Sequence, residues 1–409
     1  MINVNTSAEH LQSQAQDIWD GIWKWLYCPR TSLIYDFITS YDEEHRLETL
    51  PTADEVRRQD PNPCGWGTGM EDSAINGGAM LSAICDRYMV TGESEMKVAS
   101  QKIFDGLYAC TMFSGEPGFV ARSICPEDGQ SVYKNSSRDQ YTHLVHGLWR
   151  LWHSPLADLR TKARIQECLA AVAHFTERSV TPANDYKLLM LDGKPAPLVC
   201  QMWNLEEIAP HEACRLPMIY AAAYDVTGDG HFLEECMKYL REGLEYSCRL
   251  WHWPYLCYAL LQMSCSLEVL LAVFPDGEDN SLCRKALCDA AERAQYNAMK
   301  SAREFLTAPE VEPVYMDWRM CKLVDNYGYK IPRQAFSETT REAGEAALVQ
   351  MMAPDFHFTD FQKMLLKRAL GCRNYEKFSS YGPIYLMSAY WRMRRLDIDT
   401  NAKNSVGQS

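Results

Sequence analysis

The sequence predicts an all-α protein, a single-domain (α/α)6 toroid in which six helical hairpins form a closed ring. Three observations support this fold class. Amphipathic and more apolar helical stretches alternate along the chain, one phrase recurs at the turn between them, and the long irregular segments all follow amphipathic stretches. Self-similarity of this length is typical of arrays of helical hairpins. An open helical solenoid is the alternative.

The recurring phrase marks the turn of a hairpin. YMVTGESEMKVASQKIFDGL begins at Tyr88, and YDVTGDGHFLEECMKYLREGL begins at Tyr224. In both, an apolar helix ends at Thr-Gly, where glycine supplies the positive φ of a helix C-cap. An acidic residue just beyond suits the start of the next helix. The phrase therefore predicts an inner helix, a tight turn and an outer helix.

Amphipathic stretches predict six outer helices, and stretches rich in Ala and aromatic residues predict six inner helices that are buried on most sides. The outer helices are expected at 8–27, 94–113, 158–178, 231–248, 281–305 and 359–371. The inner helices are expected at 72–91, 139–152, 212–226, 254–273, 340–352 and 381–395. Residues 1–409 then form one barrel domain, with a polar and flexible tail at 397–409.

Four connections from an outer helix to the next inner helix are long and irregular. They span 28–68, 114–137, 179–210 and 306–338. Long loops in a compact domain are usually functional. Because all four open onto the end of the ring where the inner helices start, we expect a functional cup at that end.

Composition excludes several classes of partner. The net charge of -13 argues against a nucleic-acid partner, because phosphate binding needs a basic surface. No apolar run reaches the roughly 18 residues of a membrane span, and no signal peptide is visible, so we expect a cytoplasmic protein. The sixteen cysteines lack the spacing of a zinc site and are expected to be free thiols. We expect neither a metal nor a cofactor, and the oligomeric state stays open.

The start of the first inner helix carries two adjacent acids. GWGTGMEDSAINGGAML begins at Gly65 and includes Trp66, Glu71 and Asp72. Glycines let the backbone bend and approach a ligand closely, and the helix N-terminus stabilises carboxylates. An acidic N-cap is the alternative explanation. The glycine pair at 77–78 costs helix stability, roughly 1 kcal/mol each, which indicates close packing or space for a substrate.

The second inner helix begins SSRDQYTHLVHGLWRLW, with Arg138, Asp139, Tyr141 and His143 in its first turns. Asp139 and His143 are four residues apart and share one face of the helix. A capped helix with a hydrogen-bonded histidine at the edge of the core is the alternative. We interpret the four residues as candidates for chemistry at the cup.

The remaining inner helices bring further candidates to the same rim. These are His211 and Glu212 at the third helix, Trp253 at the fourth, Arg341 at the fifth and Tyr381 at the sixth. Aromatic faces combined with acids and arginine are typical of sugar recognition. We expect one cavity lined by Trp66, Asp72, Asp139, His211, Trp253 and Tyr381.

These motifs resemble the six-hairpin glycosidase superfamily, particularly the unsaturated glucuronyl and rhamnogalacturonyl hydrolases. Asp72 in GMEDSAINGGAML and Asp139 in SSRDQYTHLVHGLWRLW are similar in position to the two catalytic Asp residues of those enzymes. Glu71 stands where the family has a His. The resemblance implies an (α/α)6 barrel and a glycoside hydrolase in which Asp72 and Asp139 act as acid and base on an oligosaccharide containing a uronic acid or an unsaturated uronide.

Other functions remain open at this point. A polysaccharide lyase would use Tyr141 or Tyr381 as acid and base, with Arg138 neutralising a uronate. A sugar epimerase on the same fold would use histidines, for which His143 and His211 are candidates. A non-catalytic sugar-binding protein would keep the aromatic rim without needing either acid.

Overall fold

The inner helices form a closed ring. This structure, a computed structural model, describes residues 5–197, 200–250, 255–305, 313–321 and 335–406. Each inner helix contacts the next one, and the last contacts the first. The (α/α)6 toroid is therefore confirmed. The inner helices are α3 (Ser73–Thr91), α5 (Arg138–Trp152), α7 (Arg215–Thr227), α10 (Cys257–Val273), α12 (Ala335–Met352) and α14 (Pro383–Val406).

The outer helices lie against this ring and alternate with the inner ones along the chain. They are α1 (Ala8–Gly21), α4 (Glu95–Met112), α6 (Leu159–Ser179), α8 (Gly230–Met237) with α9 (Leu240–Ser247), α11 (Gly277–Phe305) and α13 (Asp360–Gly371). A π-helical turn at Ile22–Leu26 extends α1. Helix α1 contacts both α13 and α14, so the first outer helix closes against the last hairpin as expected.

Several helix boundaries differ from the prediction, among them the start of α12 at Ala335 in place of residue 340. The outer helix expected at 231–248 is broken into α8 and α9 at Tyr239, whose ring packs edge-on against Trp203 at 4.9 Å. Helix α7 starts at Arg215 because Pro210–Glu212 form a separate 3-10 turn. Helix α14 continues to Val406, past the point at which we expected a polar tail to begin.

The two copies of the repeated phrase have the same local geometry. Gly92 ends α3 with φ +66° and donates its N–H to the carbonyl of Tyr88 at 2.8 Å. Gly228 ends α7 with φ +72° and donates to the carbonyl of Tyr224 at 2.8 Å. Because side chains with a Cβ rarely adopt this φ, the glycines determine where both inner helices stop.

The first long connection contains some regular structure. Strand β1 (Tyr27–Cys28) pairs antiparallel with β2 (Leu33–Ile34), and α2 (Ala53–Arg58) follows.

None of the described helices is long and apolar enough to cross a membrane. All sixteen cysteines are free, as the sequence predicts.

Helices α3 and α5 approach each other through glycine. A Cβ built on Gly78 would lie 2.0 Å from the carbonyl oxygen of His143, and one on Gly147 would lie 2.6 Å from the carbonyl oxygen of Gly78. Neither distance is possible for a real Cβ. Gly78 and Gly147 therefore allow close packing of the first two inner helices, whereas Gly77 faces Leu107 of the outer helix α4, at 2.7 Å from an added Cβ.

Buried charges fill the ring at the end opposite the helix starts. Asp86 of α3 lies 2.6 Å from Arg150 Nη2 and 3.7 Å from Arg392 Nη1. Glu268 of α10 contacts Arg392 and lies 2.7 Å from His146 Nε2. Asp86 lies 14 residues along the chain from residue 72, which is about 21 Å of helix. Side chains from four inner helices thus form a charged floor, defined here as Asp86, Glu268, Arg150, Arg392 and His146.

Candidate active site

Asp72 occupies the N-cap position of α3, but its side chain does not cap the helix. Gln140 Nε2 donates to Asp72 Oδ1 at 2.9 Å, and the Tyr381 hydroxyl donates to Asp72 Oδ2 at 3.4 Å. The Arg122 guanidinium lies 3.6 Å away, and the side chain is 23% exposed. The acidic N-cap explanation therefore fails, because the carboxylate faces partners on other elements.

Asp36 performs the capping that Asp72 does not. Its buried carboxylate accepts the backbone N–H of Glu71 at 2.6 Å and of Asp72 at 3.0 Å, and Asn76 Nδ2 donates to it at 3.1 Å. Burial and the neighbouring charges of Asp72 and Glu71 raise the pKa of Asp36 well above its usual range. The sequence analysis missed Asp36, which lies in an irregular connection without any recognisable pattern.

The glycine loop ahead of α3 has the conformation that glycine permits. Gly65, Gly67 and Gly69 have φ values of +67°, +82° and +87°. Glu71 Oε2 accepts the N–H of Gly67 at 3.3 Å, so its side chain holds this loop. Trp66 projects from the loop beside the site, half-buried.

Arg122 joins the glycine loop to the first acid. Its Nη1 donates to the carbonyl of Glu71 at 3.0 Å, and its guanidinium lies 5.6 Å from the centre of the Trp66 ring. Trp66 and Asp72 therefore belong to one cluster, as expected. Arg122 itself, buried in the second long connection, was not predicted.

Asp139 lies at the start of α5, which Ser137 caps by accepting the N–H of Gln140. The Asp139 carboxylate contacts the guanidinium of Arg215, a buried residue at the start of α7. Although burial raises the pKa of a carboxyl, the Arg215 contact outweighs burial and lowers the pKa of Asp139 to about 2. Asp139 is therefore held in its ionised form.

A second ion pair lies beside the pair of Asp139 and Arg215. Arg138 contacts Glu212 and donates to the carbonyl of Gln201 at 3.2 Å. The other oxygen of Glu212 accepts the N–H of Ala209 at 2.9 Å. Both side chains are largely buried, at 18% and 8% exposed. This pair fastens the third long connection to α5.

Two histidines near Asp139 are neutral. Burial, followed by the charge of His146, lowers the pKa of His143 to about 3. Burial, followed by the charges of Arg215 and Arg138, lowers the pKa of His211 to about 3. The His211 ring stacks edge-on against Tyr255 at 5.0 Å.

Arg341 of α12 and Tyr381, which precedes α14, form a chain of contacts that ends at Asp72. Arg341 Nη1 donates to the Tyr381 hydroxyl at 2.6 Å, and Arg341 Nε lies 2.7 Å from Glu345 Oε1. The guanidinium also lies 5.4 Å from the centre of the Tyr258 ring. Burial raises the pKa of Glu345 to about 7, although Arg341 opposes this. Tyr258 and Glu345 were not among the predicted residues.

Tyr141 does not lie in the cup, contrary to our expectation. It is fully buried, and its hydroxyl accepts the N–H of Val120 at 3.2 Å. Its ring packs against Phe175 of the outer helix α6. Residues two apart on a helix do not share a face, so Tyr141 points away from the face that carries Asp139. The predicted Trp253 lies outside the described residues.

The site therefore brings the predicted acids to one end of the ring. Asp72 and Asp139 both sit where inner helices start, and Arg122, 3.6 Å from Asp72, also helps to lower the pKa of Asp139. Both acids have an arginine partner, Arg215 for Asp139 and Arg122 for Asp72, and Asp72 also accepts hydrogen bonds from Gln140 and Tyr381.

Comparison with known proteins supports the fold. No protein-family profile matches the sequence, and no curated protein matches it. The chain is similar in structure to the Lin0763 protein from Listeria innocua, with a TM-score of 0.52 and 8% identity, covering 95% of this chain and 98% of that one. It is also similar to cellobiose 2-epimerase from Spirochaeta thermophila, with a TM-score of 0.50 and 12% identity, covering 96% and 98%. Such similarity identifies a shared six-hairpin fold.

Proposed function

We propose that the protein is a carbohydrate-processing enzyme, specifically a glycoside hydrolase with Asp72 and Asp139 as its acid and base. The observation that carries the proposal is the presence of two carboxylates, Asp72 and Asp139, at the starts of neighbouring inner helices at one end of the ring. Hydrolysis of a glycosidic bond needs one carboxyl that can donate a proton and one that stays ionised. Arg215 keeps Asp139 ionised, which leaves Asp72, beside Gln140, Tyr381 and Arg122, for the role of the acid.

In this mechanism Asp72 donates its proton to the glycosidic oxygen as the bond to the anomeric carbon breaks. Asp139 accepts a proton from the water that adds to that carbon, so that proton and hydroxyl balance across the two products. A substrate that ends in an unsaturated uronide would instead be protonated at its C4–C5 double bond, with water adding at C5. The buried Asp36 and Arg122 hold Asp72 in place for either reaction.

The test is the turnover of oligosaccharides by Asp72→Asn and Asp139→Asn. General acid or base catalysis by one group contributes about 10²–10⁴ in rate, so each variant should lose at least a hundredfold in kcat. The two variants should differ in their free energy of unfolding. Asp72→Asn should cost little, whereas Asp139→Asn leaves the buried Arg215 unpaired, which typically costs about 3–5 kcal/mol.

A matched control separates lost chemistry from lost stability. Asp86→Asn also removes a buried carboxylate that is paired with arginine, here with Arg150, Arg392 and Arg395 in the charged floor. It should destabilise the protein at least as much as Asp139→Asn and leave kcat unchanged at temperatures where the protein is folded. If Asp139→Asn keeps full activity while folded, the carboxylate pair is the wrong assignment.

We extend the proposal to substrates that contain a uronic acid. Arg341 is 26% exposed and stands beside Tyr258 and Tyr381, a cation between aromatic faces that suits a sugar carboxylate. Arg341→Met should raise KM for a uronic oligosaccharide and leave KM for the matching neutral oligosaccharide within twofold. Equal KM changes for both would restrict the proposal to neutral sugars.

A sugar epimerase is the second candidate, favoured by two largely buried histidines, His143 and His211, close to Asp139. A neutral imidazole can remove the proton next to a sugar carbonyl, and cellobiose 2-epimerase shares this fold. Incorporation of deuterium from solvent at C2 of a reducing sugar, abolished by His211→Ala, would select this function over hydrolysis. Release of an unsaturated product without water consumption would instead identify a lyase.

A further inference from the structure

Three side chains with metal-binding groups meet between two outer helices. His174 and Glu177 lie three residues apart on α6 and so share one face of that helix. His231 is the second residue of α8. Glu177 Oε2 lies 3.5 Å from His174 Nδ1 and 3.1 Å from His231 Nε2. The three ligand atoms all lie within 4.8 Å of one another.

These separations match the coordination shell of a small tetrahedral ion. Zinc binds histidine nitrogen and carboxylate oxygen at about 2.0–2.2 Å, which places tetrahedral ligands about 3.3–3.5 Å from each other. The two measured nitrogen-to-oxygen distances lie at or close to this range. The histidine rings are inclined by only 25°, with centres 6.1 Å apart, so both present an edge toward Glu177.

We propose that His174, Glu177 and His231 bind Zn²⁺, with water in the fourth position. Two imidazoles and one carboxylate suit zinc, whereas magnesium and calcium prefer shells built from oxygen. The side chains are 49%, 35% and 41% exposed, so an ion reaches them directly from solvent. The bound ion clamps α6 to the start of α8.

The surrounding charges favour a cation. Asp229 and Glu235 both lie close enough to His231 to act on its charge, and Lys238 is already paired with Glu235. Arg178, the next residue after Glu177, turns to Glu116 at 2.7 Å. Both nearby cations are therefore already neutralised by carboxylates, and Asp229 adds to the attraction for a divalent ion.

We expected no metal, because the sequence lacks metal ligands at the short spacing of a zinc motif. The motif on α6 supplies only two ligands, and the third lies 54 residues further along the chain. It reaches the other two only because α8 packs beside α6 in the ring. This site depends on the toroid and not on a local sequence motif.

The experiment is a calorimetric titration of chelator-treated full-length protein with Zn²⁺, together with thermal unfolding at each zinc concentration. One site should bind, and zinc should raise Tm. His174→Ala and His231→Ala should each weaken binding at least tenfold and remove the rise in Tm. His153→Ala is the matched control, since His153 is similarly exposed but has a single carboxylate partner, Asp225, at 2.6 Å; its zinc affinity should equal that of the unmodified protein.

Cobalt distinguishes this site from the cysteines. Co²⁺ bound to nitrogen and oxygen lacks the intense charge-transfer band that thiolate ligands produce, so the spectrum should lack that band. Zinc affinity unchanged in both histidine variants, no zinc binding at all, or a thiolate band that the variants do not alter would each overturn the proposal.

Discussion

Replacing Gly78 by alanine tests whether the approach of α3 to α5 determines the geometry of the cup. The new Cβ would lie 2.0 Å from the carbonyl oxygen of His143, whereas ordinary contacts begin at 3.4 Å. The two helices would therefore have to separate by about 1.4 Å at this point. Because the clash is with backbone, no change of side-chain rotamer relieves it.

The magnitude follows from two opposing effects. Overpacking costs typically about 1–3 kcal/mol, and a clash with backbone belongs at the upper end. Alanine in a helix interior recovers about 1 kcal/mol relative to glycine. We expect Gly78→Ala to lower the free energy of unfolding by about 2 kcal/mol, and to reduce kcat because Asp72 and Asp139 lie on the two helices that separate.

Chemical denaturation followed by circular dichroism measures the stability, and turnover at low denaturant measures the site. Gly230→Ala is the control, because Gly230 lies near the start of α8 with no atom within 4 Å of the added Cβ. Gly147→Ala introduces a clash at the same contact between α3 and α5. The double variant should therefore lose less free energy of unfolding than the sum of the losses in the two single variants. Gly78→Ala with unchanged stability and activity would refute the reasoning.

Three further predictions concern tyrosines of α5 and the site, the ion pair of Asp139, and the cysteines. Tyr381→Phe removes the hydroxyl that contacts Asp72 and Arg341, and it should lower kcat at least tenfold, which is less than the full contribution of one positioned catalytic group. Tyr141→Phe is the comparison: it should lower only the free energy of unfolding, by about 1 kcal/mol, as measured by denaturation. Arg215→Gln removes the main cation that lowers the pKa of Asp139 to about 2. Burial is then opposed only by Arg138 and Arg122, so this pKa should rise and the acidic limb of the pH–rate profile should move to higher pH. A limb that stays in place would assign it to another group. Titration of the unfolded protein with a thiol reagent should count sixteen free cysteines, and a count near zero would contradict the fold.

The architecture could be predicted because its causes are local. A window of about twenty residues is enough to contain the helical periodicity, the Thr-Gly turns and the contrast between amphipathic and apolar stretches. Gly92 and Gly228 stop their helices as the repeated phrase predicts. The same local reasoning brought Asp72 and Asp139 to one end of the ring.

The rest of the site depends on tertiary contacts that no local pattern contains. Asp36 and Arg122 come from irregular connections, and their role exists only after those connections fold over the start of α3. Tyr141 was a different kind of error, because helical periodicity already places it on the opposite face from Asp139. The ion pair between Asp139 and the buried Arg215 joins residues 76 apart along the chain, so only the structure reveals it.

The charged floor braces the ring across its width. Asp86 of α3 and Glu268 of α10 lie on opposite sides of the ring, and Arg150 and Arg392 each contact both of them. Because a buried charge that loses its partner is costly, these four side chains are kept or lost as a set. The cross-brace therefore links helices that are not neighbours, whereas ordinary packing in the ring links only adjacent ones.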